Sequence, residues 1–145
     1  MERLSGVHVW LVLYRAARAV ERNALASISD LGIGLSDFAI LELLLHKGPM
    51  PVNDLGRKVL LSSGSITTAV SRLEEQKLVR RTVSASDKRA RIVQLTDGGR
   101  KVIECAFDRH AGDMEEVMSV LKPRERTEFV RLLKKVGLWA AARAE

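Results

Sequence analysis

The chain has 145 residues, enough for one domain with a sizeable core, and its 46% hydrophobic and 29% charged residues are typical of a soluble globular protein. Its net charge is +6, and residues 50–100 hold ten lysines and arginines against five acidic residues. This concentration of positive charge favours a polyanionic partner for the middle third of the chain. A membrane surface would instead require a basic amphipathic helix flanked by large apolar groups, and the sequence shows no such helix.

Residues 5–27 predict a long first helix, because they contain no proline and carry an apolar stripe, including Val9 and Leu13, at helical spacing. Trp10 and Leu11 extend the apolar surface beyond one face. A single contact with its own domain would leave part of that surface exposed, so we expect a partner chain to cover it.

Two shorter helices are predicted next. Ser36 is expected to cap a second helix over residues 37–47, which Gly48 and Pro49 end. Residues 52–59 predict a short third helix, in which Gly56 permits the close approach of a neighbouring helix. This third helix is the first element of a helix-turn-helix.

The fourth helix is predicted over residues 62–76 and has one narrow apolar face. Ser62 or Ser63 is expected to cap it. A rotation of about 100° per residue places small polar side chains on the opposite face, which is smooth enough to lie in a DNA major groove. The inward residues are Ile66, Ala69, Val70 and Leu73, and the outward residues are Gly64, Thr67, Thr68, Ser71, Arg72 and Glu75.

A β-hairpin with a basic tip follows this helix. Two strand-like runs, residues 78–83 and 91–95, are joined by the polar residues 84–90, and residues 77–91 hold six lysines or arginines against one acid, Asp87. A helix followed by a basic hairpin is the plan of a winged helix-turn-helix module, with the helix in the major groove and the hairpin tip at the neighbouring minor groove. The alternative is a solvated hairpin beside an ordinary surface helix.

Two long helices are predicted to end the chain. Thr96 caps a fifth helix that reaches about residue 120, and Pro123 opens a sixth. Surplus apolar residues on the first, fifth and sixth helices favour a symmetric dimer in which these helices intertwine; the alternative is one core within the chain. The candidate buried positions are Val102, Ile103, Ala106, Phe107, Met114, Val117, Met118 and Leu121 in the fifth helix and Phe129, Leu132, Leu133, Val136 and Trp139 in the sixth.

Catalytic and metal-binding patterns are absent from the sequence. The three histidines lie far apart without acidic neighbours at metal-ligand spacing, and neither a Gly-x-Ser-x-Gly motif nor a phosphate-binding glycine loop occurs. A single cysteine, the lack of a secretion-signal pattern and the lack of an apolar run of about 20 residues favour a cytoplasmic location without membrane attachment. We therefore expect neither an enzyme nor a protein with a metal or a cofactor.

The most specific motif spans the hairpin and the start of the fifth helix. Asp-Lys-Arg lies at residues 87–89, and Leu-Thr-Asp-Gly-Gly follows at residues 95–99. Together with Leu-Gly at residues 55–56 and the run SSGSITTAVSRLEEQKLVRR, this pattern resembles the MarR family of bacterial transcription regulators over essentially all 145 residues. Lys77 departs from the family, which usually has glycine there, and a left-handed helix end at Lys77 would cost about 1 kcal/mol.

The resemblance implies a mainly α fold with a small β-hairpin wing, a winged helix-turn-helix of about six helices. It implies one domain over residues 1–145, with a DNA-binding part at residues 36–100 and a helical dimerisation part formed by residues 1–31 and 101–145. The implied function is that of a homodimeric repressor of transcription, which binds a pseudo-palindromic operator in double-stranded DNA and is released by a small aromatic or phenolic effector. The alternative is a winged-helix interaction module whose basic hairpin binds an acidic protein.

The predicted DNA contacts lie on the fourth helix and the hairpin. Arg72 is expected to reach a guanine edge, and Arg89 is expected to enter the minor groove between flanking phosphate contacts. The carboxylate of Asp87 is expected to hold the hairpin tip by accepting hydrogen bonds from turn amides or from a guanidinium. The full set is Ser63, Ser65, Thr67, Thr68, Ser71, Arg72, Arg80, Arg81, Asp87, Lys88, Arg89 and Arg91.

Two further expectations concern small molecules. The resemblance implies an effector pocket, and the aromatic residues available to line it are Trp10, Tyr14, Phe38 and Phe107, which the sequence equally allows as ordinary core residues. Cys105 is expected to be a packed structural thiol, because it neighbours Ile103 and Ala106 on a helix expected to be packed. The alternative is a reactive thiol beside Arg109 and Lys101, although the oxidant-sensing members of the family carry their cysteine in the first helix.

Overall fold

A computed structural model describes residues 4–143, and within that range the chain forms six α-helices and three short β-strands. This confirms the predicted mainly α winged helix-turn-helix class. A single 3₁₀ turn, Ser29–Leu31, joins the first two helices. The elements are α1 (Gly6–Ser27), α2 (Leu35–Lys47), β1 (Met50–Pro51), α3 (Val52–Lys58), α4 (Ser63–Glu75), β2 (Val79–Val83), β3 (Arg91–Leu95), α5 (Asp97–Met118) and α6 (Pro123–Ala142).

Side-chain caps define where three of these helices begin. At the start of α1, the hydroxyl of Ser5 accepts a hydrogen bond from the amide of His8 at 3.1 Å. The hydroxyl of Ser62 accepts a hydrogen bond from the amide of Ser65 at 3.2 Å, and that of Thr96 accepts one from the amide of Gly99 at 2.9 Å. The predicted cap at Ser36 is wrong. α2 begins two residues earlier than predicted, at Leu35, with Gly34 at the cap position and no side-chain hydrogen bond there.

The sheet has one strand more than the sequence predicted. β3 lies in the centre and pairs antiparallel with β2 on one side and β1 on the other, with Val79 opposite Leu95 and Met50 opposite Val93. A two-residue strand that contains a proline is too short to show an alternating pattern, so the sequence indicated only an extended link. The buried side chains of Met50, Val79 and Val93 join the wing to the helical core.

The core lies between α2, α3 and α4, with one side of α5 closing it. Gly56 allows α3 to approach α4, because a Cβ at this position would lie 3.0 Å from Cγ2 of Ile66. The close approach predicted for Gly56 is therefore confirmed. The buried hydrophobic residues are Ile28, Phe38, Ile40, Leu41, Leu44, Met50, Leu55, Ile66, Ala69, Val70, Leu73, Val79, Val93, Ile103 and Ala106.

The link from α4 to β2 turns on Lys77, which adopts φ of 60°. For a residue other than glycine this left-handed conformation costs about 1 kcal/mol or more. Surrounding hydrogen bonds offset that cost, since the Thr96 hydroxyl donates to the Lys77 carbonyl at 2.7 Å and the Thr96 amide donates to the Leu78 carbonyl at 3.1 Å. The packing also requires Gly99, where a Cβ would lie 1.9 Å from the Leu78 carbonyl oxygen.

Hydrogen bonds connect the end of α1 to α5. The buried Ser27 hydroxyl donates to the Ala24 carbonyl and lies 2.7 Å from Nδ1 of His110. A serine has one hydroxyl hydrogen, so both contacts form together when His110 carries its hydrogen on Nδ1 and donates it to Ser27. Arg109 donates to the Ser27 carbonyl and makes two hydrogen bonds to the Asp30 carboxylate, which lower the pKa of Asp30.

The terminal helices leave large apolar side chains exposed. None of the residues of α6 is buried, and Trp139 is 69% exposed. On α1, Trp10 is 60% exposed and stacks on Tyr14 with 6.0 Å between the ring centres. The predicted positions Ile103 and Ala106 of α5 are buried, whereas the predicted positions of α6 are not.

Candidate nucleic-acid interface

α4 is divided between an apolar face in the core and a polar face in solvent. Its four buried residues are the four predicted from helical spacing. The exposed side chains are short, so this surface has no protruding group over its first two turns. They belong to Ser63, Ser65, Thr67 and Thr68, with Gly64 between them, whereas the predicted contact residue Ser71 is half-buried.

The two threonines on this face direct their hydroxyl hydrogens back to the helix. Thr67 donates to the carbonyl of Ser63 at 2.9 Å, and Thr68 donates to the carbonyl of Gly64 at 3.0 Å. Each hydroxyl oxygen therefore faces outward only as an acceptor. Ser65 differs, because its hydroxyl oxygen accepts a hydrogen bond from the Ser62 hydroxyl at 2.9 Å.

Arg72, the predicted guanine contact, forms an ion pair that the sequence did not predict. Its Nε and Nη2 donate to the two carboxylate oxygens of Asp37 in α2, at 2.8 and 2.5 Å. The Asp37 side chain is 4% exposed and the Arg72 side chain 48% exposed. Hydrogen bonding to Asp37 raises the pKa of Arg72 further above its already high ordinary value. The pair holds α4 against α2.

Arg81, a predicted phosphate contact, is also paired. Its amide and its Nε and Nη2 all donate to the carboxylate of Glu74, at 3.1, 3.0 and 2.6 Å. These hydrogen bonds lower the pKa of Glu74. They connect the last turn of α4 to β2, so the orientation of the wing is fixed relative to α4.

Asp37 and Glu74 are the two functional positions that the sequence reasoning missed. Asp37 shares the buried face of α2 with Leu41 and Leu44, at intervals of four and three residues. A carboxylate on an apolar helical face requires a cation or several hydrogen-bond donors, and that pattern was a usable signal. Glu74 carried no comparable signal, because it lies in the polar last turn of its helix.

The tip of the wing is held by its own backbone and by two short side chains. The carboxylate of Asp87 accepts a hydrogen bond from the Arg89 amide at 2.9 Å, so the structure shows the amide contact that was one of the two predicted. The Ser84 hydroxyl accepts from the amides of residues 86 and 87, and Nη1 of Arg91 donates to the Lys88 carbonyl. Lys88, Arg89 and Arg91 are all exposed.

Arg80 is the remaining basic residue of the predicted interface. It lies on β2, is exposed and faces the side chain of Gln94, its neighbour across the sheet on β3. Four basic residues of the hairpin, Arg80, Lys88, Arg89 and Arg91, therefore lie in solvent on one structural unit, whereas Arg81 is paired to α4.

The four aromatic residues predicted to line an effector pocket occupy three different surroundings. Trp10 and Tyr14 form an exposed stacked pair on α1. Phe38 is buried in the core, with its ring centre 4.8 Å from that of His110, and half-buried Phe107 packs against His46 at 4.7 Å. Within one chain these residues do not form a single aromatic cluster.

Cys105 is exposed on α5, so the expectation of a packed thiol is wrong. Among residues 4–143, no group of three or more histidine, cysteine or acidic side chains is arranged to hold a metal ion. Over the same residues, every helix is too short or too polar to cross a membrane.

Comparison with known proteins identifies the family to which the chain is similar. The model of the MarR family matches residues 31–90. The chain is 38% identical over 130 residues to the HTH-type transcriptional regulator MhqR of Bacillus subtilis (strain 168), with 90% of each protein covered.

Two solved structures show the same fold. BpsR of Bordetella bronchiseptica, whose DNA binding is regulated by 6-hydroxynicotinic acid, superposes with a TM-score of 0.83 at 23% identity, covering 94% of this chain and 98% of BpsR. Reduced AbfR bound to DNA superposes with a TM-score of 0.76 at 26% identity, covering 94% of this chain and 92% of AbfR. The similarity thus extends over the terminal helices as well as the winged part.

Proposed function

This chain belongs to the MarR family of transcriptional regulators, not to a family of enzymes, and on that premise we propose that it is a homodimeric repressor that binds a pseudo-palindromic operator. Residues 36–100 form the DNA-binding part in this proposal. Residues 1–31 and 101–145 form the dimerisation part. α4 of each subunit lies in a major groove, and each wing reaches along the duplex.

One observation carries the proposal: the smooth polar face of α4 and the braced basic wing lie on one rigid unit. The Glu74–Arg81 hydrogen bonds fix the wing to α4, and the Asp87–Arg89 contact fixes its tip. The exposed cations of the wing suit phosphates, which supply most of the affinity of such proteins for DNA. Short hydroxyl side chains on α4 permit the close approach to base edges that a major-groove helix needs.

The dimer is supported by the apolar surface of α1 and α6. Trp139 and Leu138 near the end of α6 are 69% and 73% exposed, and Trp10 on α1 is 60% exposed. A cleft of about 1,020 Å³ lies between α5 and α6 and is walled by residues that include Leu121 and Val130. Burying each large apolar side chain contributes about 1.5–3 kcal/mol, which supports a second copy of the chain as the partner that covers this surface.

Release by a small aromatic or phenolic effector is part of the same proposal. BpsR, which shares this fold, responds to 6-hydroxynicotinic acid, an aromatic acid. The experiment is calorimetric titration of the protein with a panel of phenolic acids and quinones, together with DNA-binding measurements. Heat of binding that accompanies loss of DNA affinity supports this part of the proposal. Neither heat nor loss across the panel counts against an effector of this class.

The experiment that tests DNA binding is a gel-shift titration with duplexes from the region upstream of the protein's own gene. We expect a retarded complex whose affinity depends on sequence and falls steeply as salt rises. Arg89→Ala should weaken it strongly, whereas Arg124→Ala, which removes an exposed arginine from the first turn of α6, is the matched control and should not. Equal retention of unrelated duplexes, or retention that both variants weaken alike, would favour the acidic-protein alternative.

A further inference from the structure

We propose that Asp37, whose side chain is too buried to touch DNA, contributes to base specificity by holding the guanidinium of Arg72 in one orientation. Asp37 binds one edge of the guanidinium, and the free edge donates to O6 and N7 of a guanine in the major groove. This inference rests on the proposed DNA-binding function and deepens it by naming the residue that positions a base-reading group.

The first step is which hydrogens of Arg72 the ion pair uses. A guanidinium carries five N–H groups in one plane. Nε of Arg72 donates to one carboxylate oxygen of Asp37 at 2.8 Å and Nη2 donates to the other at 2.5 Å, and among residues 4–143 no other group accepts from this guanidinium. Both hydrogens of Nη1 and the second hydrogen of Nη2 remain free. The end of the side chain therefore keeps a fork of two parallel N–H groups, one on each Nη atom.

The second step is the direction in which the fork points. The Asp37 side chain is 4% exposed and the Arg72 side chain 48% exposed, so the bound edge of the guanidinium faces the protein and its accessible part faces solvent. Side chains on a helix lean over the preceding turn. Arg72 accordingly lines one shallow cleft with Thr68 and Ser65, four and seven residues earlier on the exposed face of α4. The free donors thus belong to the surface that we propose lies in the major groove.

The third step is the match between the fork and a base edge. Guanine presents two acceptors, O6 and N7, in the major groove. Adenine presents an acceptor beside a donor, cytosine presents a donor, and thymine presents a single acceptor beside its methyl group. Two parallel donors therefore fit guanine best. Phosphate oxygens accept from the same fork without reading sequence, so an experiment that alters N7 of guanine distinguishes the two partners.

The fourth step is what Asp37 adds. An arginine that is free in solution loses rotamer freedom when a contact immobilises it, and this loss weakens binding. Here the freedom of Arg72 is already lost on folding, because a buried carboxylate retains its cation. The contact with guanine uses other hydrogens, so the ion pair persists in the complex. Since Asp37 lies in the first turn of α2, the pair also defines the direction of the fork relative to the helical core.

The experiment begins with selection of half-sites from a random duplex library by the wild-type protein. We expect a guanine whose replacement by 7-deazaguanine, which has a C–H group in place of N7, weakens binding about tenfold. Hypoxanthine at the same position retains O6 and N7 and lacks only the minor-groove amino group, so it is the matched base and should weaken binding less than about twofold. The two duplexes compete for one protein sample, so the affinity ratio does not depend on how much of the sample is folded.

The protein variants separate positioning from simple stabilisation of the fold. Arg72→Ala should abolish the sensitivity to 7-deazaguanine, and Asp37→Asn should reduce it from about tenfold to about threefold, because the amide no longer holds the fork. A residue that only stabilised the fold would weaken binding to all duplexes alike and leave the ratio unchanged. Arg57→Ala removes the exposed pair with Asp54 on α3 and is the matched control, which should keep the wild-type ratio.

Three results would overturn the inference and leave the proposed function standing. The first is a selected consensus without guanine, or binding that is insensitive to 7-deazaguanine at every selected guanine. The second is an Arg72→Ala variant that keeps the wild-type ratio. The third is an Asp37→Asn variant that keeps it. Failure to enrich any sequence from the library would instead overturn the proposed function.

Discussion

The Asp37–Arg72 pair predicts an asymmetry between the two single substitutions that remove it. Arg72→Ala leaves a carboxylate that is 4% exposed without its cation. Breaking a fully buried ion pair in this way costs about 3–5 kcal/mol. Since the Arg72 side chain is 48% exposed, water gains access to the vacated position, and about half of that range, roughly 1.5–2.5 kcal/mol, is expected.

Asp37→Asn should cost less. The guanidinium of Arg72 then turns into solvent, and the asparagine amide still offers one acceptor oxygen, so a loss of about 1 kcal/mol is expected. In the double variant Asp37→Asn/Arg72→Ala, the loss of Arg72 no longer leaves a buried carboxylate without its cation. The double variant should therefore be more stable than the sum of the two losses implies, by about 1–2 kcal/mol.

The assay is urea unfolding of the four proteins at one fixed protein concentration, because dimerisation makes the apparent stability depend on concentration. Arg57→Ala is the matched control, since Arg57 pairs with Asp54 on the exposed side of α3 and should remain close to the wild type. An Arg72→Ala variant within about 0.5 kcal/mol of the wild type, with additive single losses, would refute the reasoning.

Three further predictions follow from the wing, the terminal helices and the α4–β2 contact. Arg89→Ala should reduce operator affinity strongly without changing the fold, and Lys88→Ala should mainly reduce the salt dependence, by about one counterion per wing, in titrations between low and physiological salt. Replacing Leu132 and Leu133 with glutamate should give monomers with little operator affinity in analytical ultracentrifugation, whereas a monomeric wild type would contradict the dimer. Because Arg81 lowers the pKa of Glu74, this contact stabilises the fold above the ordinary pKa of 4.5, and that stability is lost as the pH falls through the lower folded-state pKa; Glu74→Gln should flatten the pH dependence in urea unfolding from pH 7 to 3.

The elements of this fold were largely predictable because their local signals agree with their packing. The narrow apolar face of α4, the cap at Thr96 and the strand of residues 91–95 each follow from spacing or residue type, and each is present. The two-residue strand β1 was not predictable. It exists because β3 has a free edge next to the extended link at residues 50–51, and pairing across the chain is not a local property.

Lys77 shows how the tertiary structure overrides a local preference. A lysine in the left-handed region is unfavourable, yet the Thr96 hydroxyl and the close packing of Gly99 under Leu78 fix the chain direction there. The sequence indicated a departure from the usual glycine and its approximate cost. It did not indicate that the Thr-x-x-Gly segment would hold the turn in place, because that contact joins residues 19 positions apart.

The interface shows why a helical pattern predicts short side chains better than long ones. The position of a residue on a helix fixes where its Cβ points, and the functional atoms of serine and threonine stay within one bond of that atom. The guanidinium of arginine lies several bonds further out and follows the strongest available partner. Asp37 is such a partner, because it is buried on the apolar face of α2 and requires a cation. The helix-turn-helix helices offer three cations, Arg57, Lys58 and Arg72, and the first two lie in the exposed last turn of α3. Starting from the buried acid rather than from the outer face of α4 would have identified Arg72 as its partner.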